Sequence, residues 1–201
     1  MVDSYLRPRA AVTAEPPKVK GSRFIGDVIP VRNPERALEL VDEATRREHA
    51  ARHHCWAYRI GPQAEGVRFN DDGEPHGSAG RPILRQIEGR NLSDTLVVVT
   101  RYFGGAKLGV GGLVRAYGDA AAAALDAAPL ETKIVRERLV LHFDYDDTSA
   151  AMHVAGSFDA IISDQTYTET RAALHLAVRQ SQVDDLRARF VEALSGRGEI
   201  R

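Results

Sequence analysis

The segment 95–128 limits the folds open to this chain more than any other segment. Leu96–Val99 is apolar throughout, and threonine and aromatic residues flank it. Such a run predicts a strand over Thr95–Phe103 that is covered on both faces of its sheet. Gly104 and Gly105 end the strand, and the alanine-rich segment Val110–Ala128 predicts a helix whose small residues permit close packing. A sheet with helices packed on it is therefore expected.

Upstream of this segment, other elements of the same domain can be predicted. Asn33–Glu35 has the residues favoured at a helix start: Asn can cap, Pro fits the first turn and Glu suits its positive end. Helical spacing then continues to about His49. His54–Ile60 is typical of a strand, and Arg81–Glu88 of a short helix that Ser78 is expected to cap.

A change of pattern at Pro129 marks a domain boundary. We predict a loose tail over residues 1–14, a first domain over 15–130 and a second over 131–201. The elements predicted in the second domain are strand Val135–Tyr145, helix Ser149–Ser157, strand Ala160–Thr166, strand Thr170–Arg179 and helix Val183–Leu194. This βαββα order, with room for one last short strand, is typical of a ferredoxin-like sandwich. The predicted fold class is α+β in two domains.

Composition excludes several classes of protein. Of the 201 residues 43% are apolar, so the chain can bury a core, and a formal net charge of −1 argues against coating nucleic acid by bulk charge. The charge is uneven, because residues 1–130 carry 18 cations and 16 acids and residues 131–201 carry 9 and 12. A single cysteine, Cys55, suits a reducing compartment. Without a secretory signal or a stretch of about 20 apolar residues, we expect a cytoplasmic protein not bound to membranes.

The glycine-rich segment between the predicted strand and helix is the first candidate site. Glycine admits positive φ, so backbone N–H groups can converge on an anion, and a helix N-terminus adds partial positive charge. The expected anion or nucleic-acid site comprises Arg81, Arg85, Arg101, Gly104, Gly105, Lys107, Gly109, Gly111, Gly112 and Arg115. Alternatively, these glycines only permit tight strand-to-helix packing. The spacing matches neither a Walker loop nor a dinucleotide fingerprint.

The acidic loop before the predicted helix at residue 81 is the second candidate. Asp72, Glu74 and His76 could act as acid and base groups or as ligands of a divalent ion. Alternatively, the carboxylates accept backbone hydrogen bonds in a turn, and His76 bonds the loop. No second ligand cluster accompanies the loop, so we predict no metal site and no cofactor.

Three stretches together resemble the YigZ/IMPACT family. They are Asp72–Pro75, Gly80–Leu84 and Val98–Gly105 followed by Leu108-Gly109. The similarity covers most of residues 15–128, and the remainder matches the smaller C-terminal domain of bacterial members in length and pattern. The resemblance implies a first domain like domain IV of elongation factor G, of the ribosomal-protein type with a βαβ unit. It implies a second domain like domain V of that factor. Translation regulation is the implied role, and no catalytic residue can be carried over.

Two functions from different classes follow. The leading hypothesis is a non-catalytic binding protein that engages RNA, the ribosome, translation factors or another anionic partner through the basic glycine-rich segment. The alternative is an enzyme, a hydrolase or peptidase, that acts on a small anionic substrate with the loop residues Asp72, Glu74 and His76. A third hypothesis is a protein-interaction module without an anion site, whose partner would be another protein.

Overall fold

A computed structural model describes residues 2–201 and divides them into two compact units. One unit is Tyr5–Lys133, and the other is Ile134–Arg201 together with the residues up to Ser4. Each unit combines helices with its own sheet and core, which confirms the predicted α+β class with two domains. Within residues 2–201, no helix has both the length and the apolar character needed to cross a membrane.

The first unit is built on a five-stranded sheet. Its elements are β1 Ser4–Pro8, β2 Val12–Ala14, β3 Arg23–Pro30, α1 Pro34–Arg47, β4 His53–Ile60, β5 Gly66–Asn70, α2 Gly80–Gly89, β6 Thr95–Tyr102, α3 Val110–Ala127 and β7 Leu130–Ile134. The strand order is β2-β3-β6-β4-β5, and each neighbouring pair is antiparallel. The predicted helix start at Asn33 is confirmed, because its side chain accepts a hydrogen bond from the Arg36 backbone at 2.8 Å.

Strand β6 lies at the centre of this sheet and is covered on both faces, as its apolar run predicts. On one face Val97 and Val99 join the core that α2 and α3 cover. On the other face Leu96 and Val98 pack with residues of α1 and with Trp56. The small residues of α3 are buried against β3 and β6. The end of β6 and the start of α3 are therefore fixed by packing.

Residues 4–14 do not form the loose tail that the sequence predicted. Strand β1 pairs with β7, and β2 pairs with β3 next to Val28 and Gly26. The backbone N–H of Arg9 donates to the Pro129 carbonyl at 2.8 Å, and that of Ser93 donates to the Leu6 carbonyl at 2.9 Å. These partners are distant in sequence, so local periodicity contains no sign of them.

The second unit contains β8 Arg136–Asp144, α4 Thr148–Gly156, β9 Ile161–Tyr167, β10 Arg171–Arg179, α5 Val183–Ala193 and β11 Glu199–Ile200. The strand order is β11-β8-β10-β9, with antiparallel pairing throughout. The order of elements, including the last short strand, is the one that the sequence predicts. Alternate residues of β8 and β10 face the helices, so Leu141, Phe143, Leu174 and Leu176 form the core with Phe190.

Candidate anion-binding site

The glycines between β6 and α3 have different physical roles. A Cβ on Gly104 would collide with the backbone of Gly21, so this glycine serves close packing. Gly105 and Gly109 have φ values of 89° and 71°, which side-chain-bearing residues rarely adopt. Around Gly111, by contrast, a Cβ would meet no atom within 4 Å. The packing alternative therefore holds at Gly104, whereas the turn itself requires Gly105 and Gly109.

The N-terminus of α3 is open. Gly109 occupies the position before the helix, and no side chain there accepts a hydrogen bond from the first turn. Val110 and Gly111 are exposed, as is Lys107 in the preceding loop. Among residues 2–201, no carboxylate forms an ion pair with Lys107. The unpaired N–H groups of a first helical turn and a free ammonium group thus lie on one side of the molecule.

A pocket of about 270 Å³ opens beside this helix start. Its walls combine charged side chains with five apolar side chains. The lining residues are Glu74, Pro75, Arg101, Phe103, Lys107, Leu108, Gly109, Val110 and Leu113. The acidic loop and the glycine-rich segment, whose proximity the sequence leaves open, therefore share one cleft.

Arg101, one of the residues of the expected anion site, is paired with a carboxylate inside the first unit. Its guanidinium donates to the Glu74 carboxylate at 2.6 Å, and it lies 5.6 Å from the ring centres of Phe24 and Phe103. Only 7% of its side chain is exposed. Its Nε is buried without a hydrogen-bond partner within the described chain. Because Glu74 balances its charge, Arg101 contributes a polar wall to the pocket and little net positive charge.

Glu74 also connects the pocket to the interior of the unit. Its carboxylate accepts a second hydrogen bond, from the Tyr117 hydroxyl at 2.7 Å. Burial raises the pKa of Tyr117, and neighbouring Cys55 and Glu74 raise it further. Burial also raises the pKa of the Cys55 thiol, outweighing a hydrogen bond with Tyr117 that lowers it. Cys55 is a core residue of β4, since it is fully buried.

The other predicted cations are exposed but do not line this pocket. Arg81 lies 5.6 Å from the ring centre of Phe69. Neither Arg81, Arg85 nor Arg115 forms an ion pair with a carboxylate of residues 2–201. Helices α2 and α3 pack against each other, so these side chains belong to neighbouring helices. Their contribution to an anion site remains a prediction.

The N-terminus of α2 is closed by a residue that the sequence did not single out. One carboxylate oxygen of Asp71 accepts hydrogen bonds from the backbone of Ala79 at 3.0 Å and Gly80 at 2.8 Å; the other accepts one from Gly77 at 2.7 Å. Burial would raise the pKa of Asp71, but these backbone hydrogen bonds outweigh it and lower the pKa. Ser78 does not cap the helix as expected, and its hydroxyl is buried without a partner in the described chain.

The structure does not bring Asp72, Glu74 and His76 together as one acid–base or metal-binding group. The Asp72 carboxylate accepts a hydrogen bond from the His54 backbone at 2.6 Å, whereas Glu74 points to Arg101. The His76 side chain is fully exposed. Within residues 2–201, no three His, Cys, Asp or Glu side chains are grouped so that they could hold a metal ion. Asp72 therefore fits the alternative given for this loop, in which a carboxylate accepts a backbone hydrogen bond.

Sequence reasoning missed Asp71 and Tyr117. Asp71 lies eight residues before the cap position that it serves, outside the range of local capping rules. Tyr117 did carry a signal, because it is the single aromatic residue in the otherwise small-residue α3. An isolated tyrosine in such a helix indicates a specific hydrogen-bond partner for its hydroxyl when it is buried.

Comparison with known proteins gives consistent matches over both units. Residues 20–125 match the model of the Impact N-terminal domain, and residues 141–197 match a domain of unknown function, DUF1949. An "IMPACT family member" of Haemophilus influenzae is 34% identical, over 96% of this chain and 94% of its own length. "IMPACT family member YigZ" of Escherichia coli is also 34% identical, over 97% and 96%. A solved structure, "Crystal structure of an hypothetical protein", is 31% identical, with a TM-score of 0.73 over 100% of this chain and 97% of that one.

Proposed function

Because this chain belongs to the IMPACT family, we propose that it is a non-catalytic binding protein that engages a negatively charged partner, RNA or the ribosome, through the start of α3. The partner's phosphates would contact Lys107 and the first-turn N–H groups of α3. The pocket beside them, walled by Phe103, Leu108 and Val110, would accept an apolar or aromatic group next to the phosphate, such as an unstacked base.

The contrast between two helix starts is the observation that carries this proposal. The Asp71 carboxylate occupies the N-terminus of α2 and accepts three backbone hydrogen bonds there. Among residues 2–201, no side chain accepts a hydrogen bond from the N-terminus of α3, which borders a pocket. A helix start with unpaired N–H groups favours a negative ligand, and the free ammonium group of Lys107 adds to this preference.

Strand topology fits the fold that the family resemblance implies for the second unit. We infer that the first unit resembles domain IV of elongation factor G, as the family resemblance implies. The order β11-β8-β10-β9 with two helices supports a ferredoxin-like second unit similar to domain V of that factor. A fold likeness is an analogy, so the binding function rests on the α3 site.

The enzyme alternative has less support. General acid–base chemistry needs a titratable group that can reach the substrate. Glu74 lines the pocket, but Arg101 and Tyr117 both donate to the same oxygen of its carboxylate. Asp72 and His76 are not among the pocket-lining residues. Glu74 is therefore held in place by two internal donors, and the other two residues of the proposed acid–base group do not reach the same pocket.

The test is titration of labelled single-stranded RNA and purified ribosomes with the full chain at several salt concentrations. Lys107→Ala removes the free cation at the α3 start, and Lys133→Ala, exposed in the same unit, is the matched control. We expect Lys107→Ala to weaken binding about tenfold and to reduce the salt slope by about 0.7. Equal binding by the two variants, or no binding by the wild type, would contradict the α3 site.

A gain of negative charge at the same place tests the helix start itself. Gly111→Glu would add a carboxylate to the first turn of α3, where the surrounding space is open. Gly111→Gln is its uncharged counterpart of nearly the same size. The glutamate should stabilise the helix through its dipole but repel phosphate, so only Gly111→Glu should lose affinity. Equal affinity of the two variants for RNA would argue against anion binding there.

A further inference from the structure

We propose that the first unit contains a second anion site, beyond the function proposed above, in which four arginines bind closely spaced phosphoryl groups. Arg7, Arg9, Arg32 and Arg36 line a pocket of about 360 Å³. The remaining lining residues, among them Asn33, are uncharged, so within residues 2–201 no carboxylate belongs to the lining itself. The pocket of about 270 Å³ beside the start of α3, the α3 pocket, shares none of these residues.

Hydrogen bonds hold the two halves of this pocket together. Asp94 connects them, because its carboxylate accepts from the Tyr5 hydroxyl and its carbonyl oxygen accepts from the Val31 backbone at 2.8 Å. Tyr5 precedes Arg7 in β1, and Val31 precedes Arg32. The Asp94 side chain is buried and also accepts a backbone hydrogen bond from the Gly61 N–H at 3.0 Å. The arginines therefore come from anchored elements of the fold.

The charges in the pocket are only partly balanced. Arg7 pairs with Glu131 at 2.6 Å, and Arg36 pairs with Glu39 and Glu43, both at 2.9 Å. Arg9 and Arg32 are exposed and form no ion pair with a carboxylate among residues 2–201. The two unpaired guanidinium groups therefore carry positive charge that no carboxylate of residues 2–201 balances. A bound anion would balance this charge.

The chemistry of the lining points to phosphate. Guanidinium groups donate paired, planar N–H bonds that match phosphate oxygens. The N-terminus of α1 also borders the pocket through Asn33; its neutral side chain accepts the Arg36 N–H, so the helix dipole adds favourable potential there but no open N–H group at that position. Four arginines around one cavity suit a ligand with several phosphoryl groups better than a single carboxylate. Such groups occur in a free polyphosphate and along an RNA backbone.

The test uses the full chain and two probes, inorganic triphosphate and a short labelled oligouridylate. Arg9→Ala/Arg32→Ala removes the two unpaired arginines of the pocket. Arg46→Ala/Arg52→Ala is the matched control, because both residues are exposed, form no ion pair in residues 2–201 and change the net charge equally. Arg46 lies ten residues after Arg36 on α1, about 15 Å away along the helix. Urea midpoints of both variants verify that they fold.

We expect the wild type to bind at least one probe, and the Arg9/Arg32 variant to bind that probe about 100-fold more weakly, about tenfold for each lost charged contact. The control should stay within about twofold. If oligouridylate displaces triphosphate, the phosphates come from RNA; if triphosphate binds and oligouridylate does not compete, the ligand is a free polyphosphate. Failure of the wild type to bind either probe, or an equal loss in both variants, would overturn the proposal.

Discussion

The guanidinium of Arg101 and the carboxylate of Glu74 form an ion pair at 2.6 Å with only 7% and 4% of their side chains exposed. Arg101 belongs to β6 and Glu74 to the loop before α2, so the pair ties that loop to the centre of the sheet. The Tyr117 hydroxyl on α3 donates to the same carboxylate. One buried carboxylate thus fixes the relative positions of three segments that form the α3 pocket.

Removal of Glu74 alone should destabilise the first unit strongly. Glu74→Ala would leave the Arg101 guanidinium buried without a counter-charge and the Tyr117 hydroxyl without its acceptor. Loss of one partner from a buried pair costs about 3–5 kcal/mol in the free energy of unfolding. Urea unfolding followed by fluorescence of Trp56, the single tryptophan and a buried residue of this unit, measures that cost.

A double variant tests whether the cost arises from the unpaired charge. Arg101→Met/Glu74→Leu removes both charges and retains most of the side-chain volume. Because a buried pair can be replaced by apolar residues at little cost, the double variant should unfold at higher urea concentration than Glu74→Ala. Additive losses from Arg101→Met and Glu74→Leu would show that the two side chains do not interact energetically.

The Asp71 carboxylate should contribute stability that disappears in acid. Its pKa lies below the usual 3.8 because backbone N–H groups of Gly77, Gly80 and Ala79 outweigh the effect of burial. A lowered folded-state pKa stabilises the protein above the unfolded value, and the contribution is lost as the pH falls through the folded value. Asp71→Asn should therefore cost about 1–2 kcal/mol at neutral pH and progressively less below about pH 4.

Urea unfolding at a series of pH values, followed through Trp56, checks this dependence. His76→Gln is the control, because His76 is fully exposed and its ring lies 3.9 Å from the Asp71 carboxylate. Because the His76 charge is the smallest of the causes that lower the pKa of Asp71, this variant should retain most of the acid dependence of the wild type below about pH 4. A constant difference between wild type and Asp71→Asn at every pH would mean that the charge of Asp71 is not what stabilises α2.

The fold could be predicted where the information is local. Asn33 before Pro34 predicts the start of α1, and the apolar run in β6 predicts a strand covered on both faces; both predictions are confirmed. The pairing of β1 with β7 could not be predicted, because it joins residues more than a hundred positions apart. A short strand with charged residues has no periodicity that separates it from a loose tail.

The sequence predicted which residues border the candidate site better than it predicted how their side chains are paired. Lys107 and the glycine-rich loop do border a pocket, which a binding site at this place needs. Arg101, however, pairs with a carboxylate 27 positions away, and no rule of spacing predicts such a contact. The arginine pocket was missed for the same reason, since Arg9 follows β1, Arg32 follows β3, and only the tertiary fold places both in the lining of one pocket. Tertiary pairing decides which charges stay free.

The Cys55 thiol should be inert in the folded protein. It is fully buried in β4, burial raises its pKa, and its Sγ donates to the Asp71 carbonyl at 3.0 Å. Thiolate is the reactive form, so a disulfide reagent should modify Cys55 only when the first unit unfolds. The measurement is the rate of reaction with and without denaturant. Fast modification of the native protein, at the rate of the denatured control, would contradict this expectation.

Two glycines of the segment between β6 and α3 should respond to alanine in opposite directions. Gly104→Ala would drive a Cβ into the backbone of Gly21, so the substitution should destabilise the first unit by about 1–3 kcal/mol. Gly111, the second residue of α3, has open space around it and no positive φ. Gly111→Ala should therefore stabilise the unit by up to about 1 kcal/mol, because alanine loses less backbone entropy in a helix.

Thermal and urea unfolding of the two variants, compared with the wild type, separates packing from turn geometry. RNA titration of Gly111→Ala adds a functional measure, since this substitution adds a methyl group beside the α3 start without changing its charge. Its affinity should stay within about twofold of the wild type if phosphate contacts the backbone N–H groups and Lys107. Destabilisation by Gly111→Ala equal to that by Gly104→Ala would show that both glycines serve packing alone.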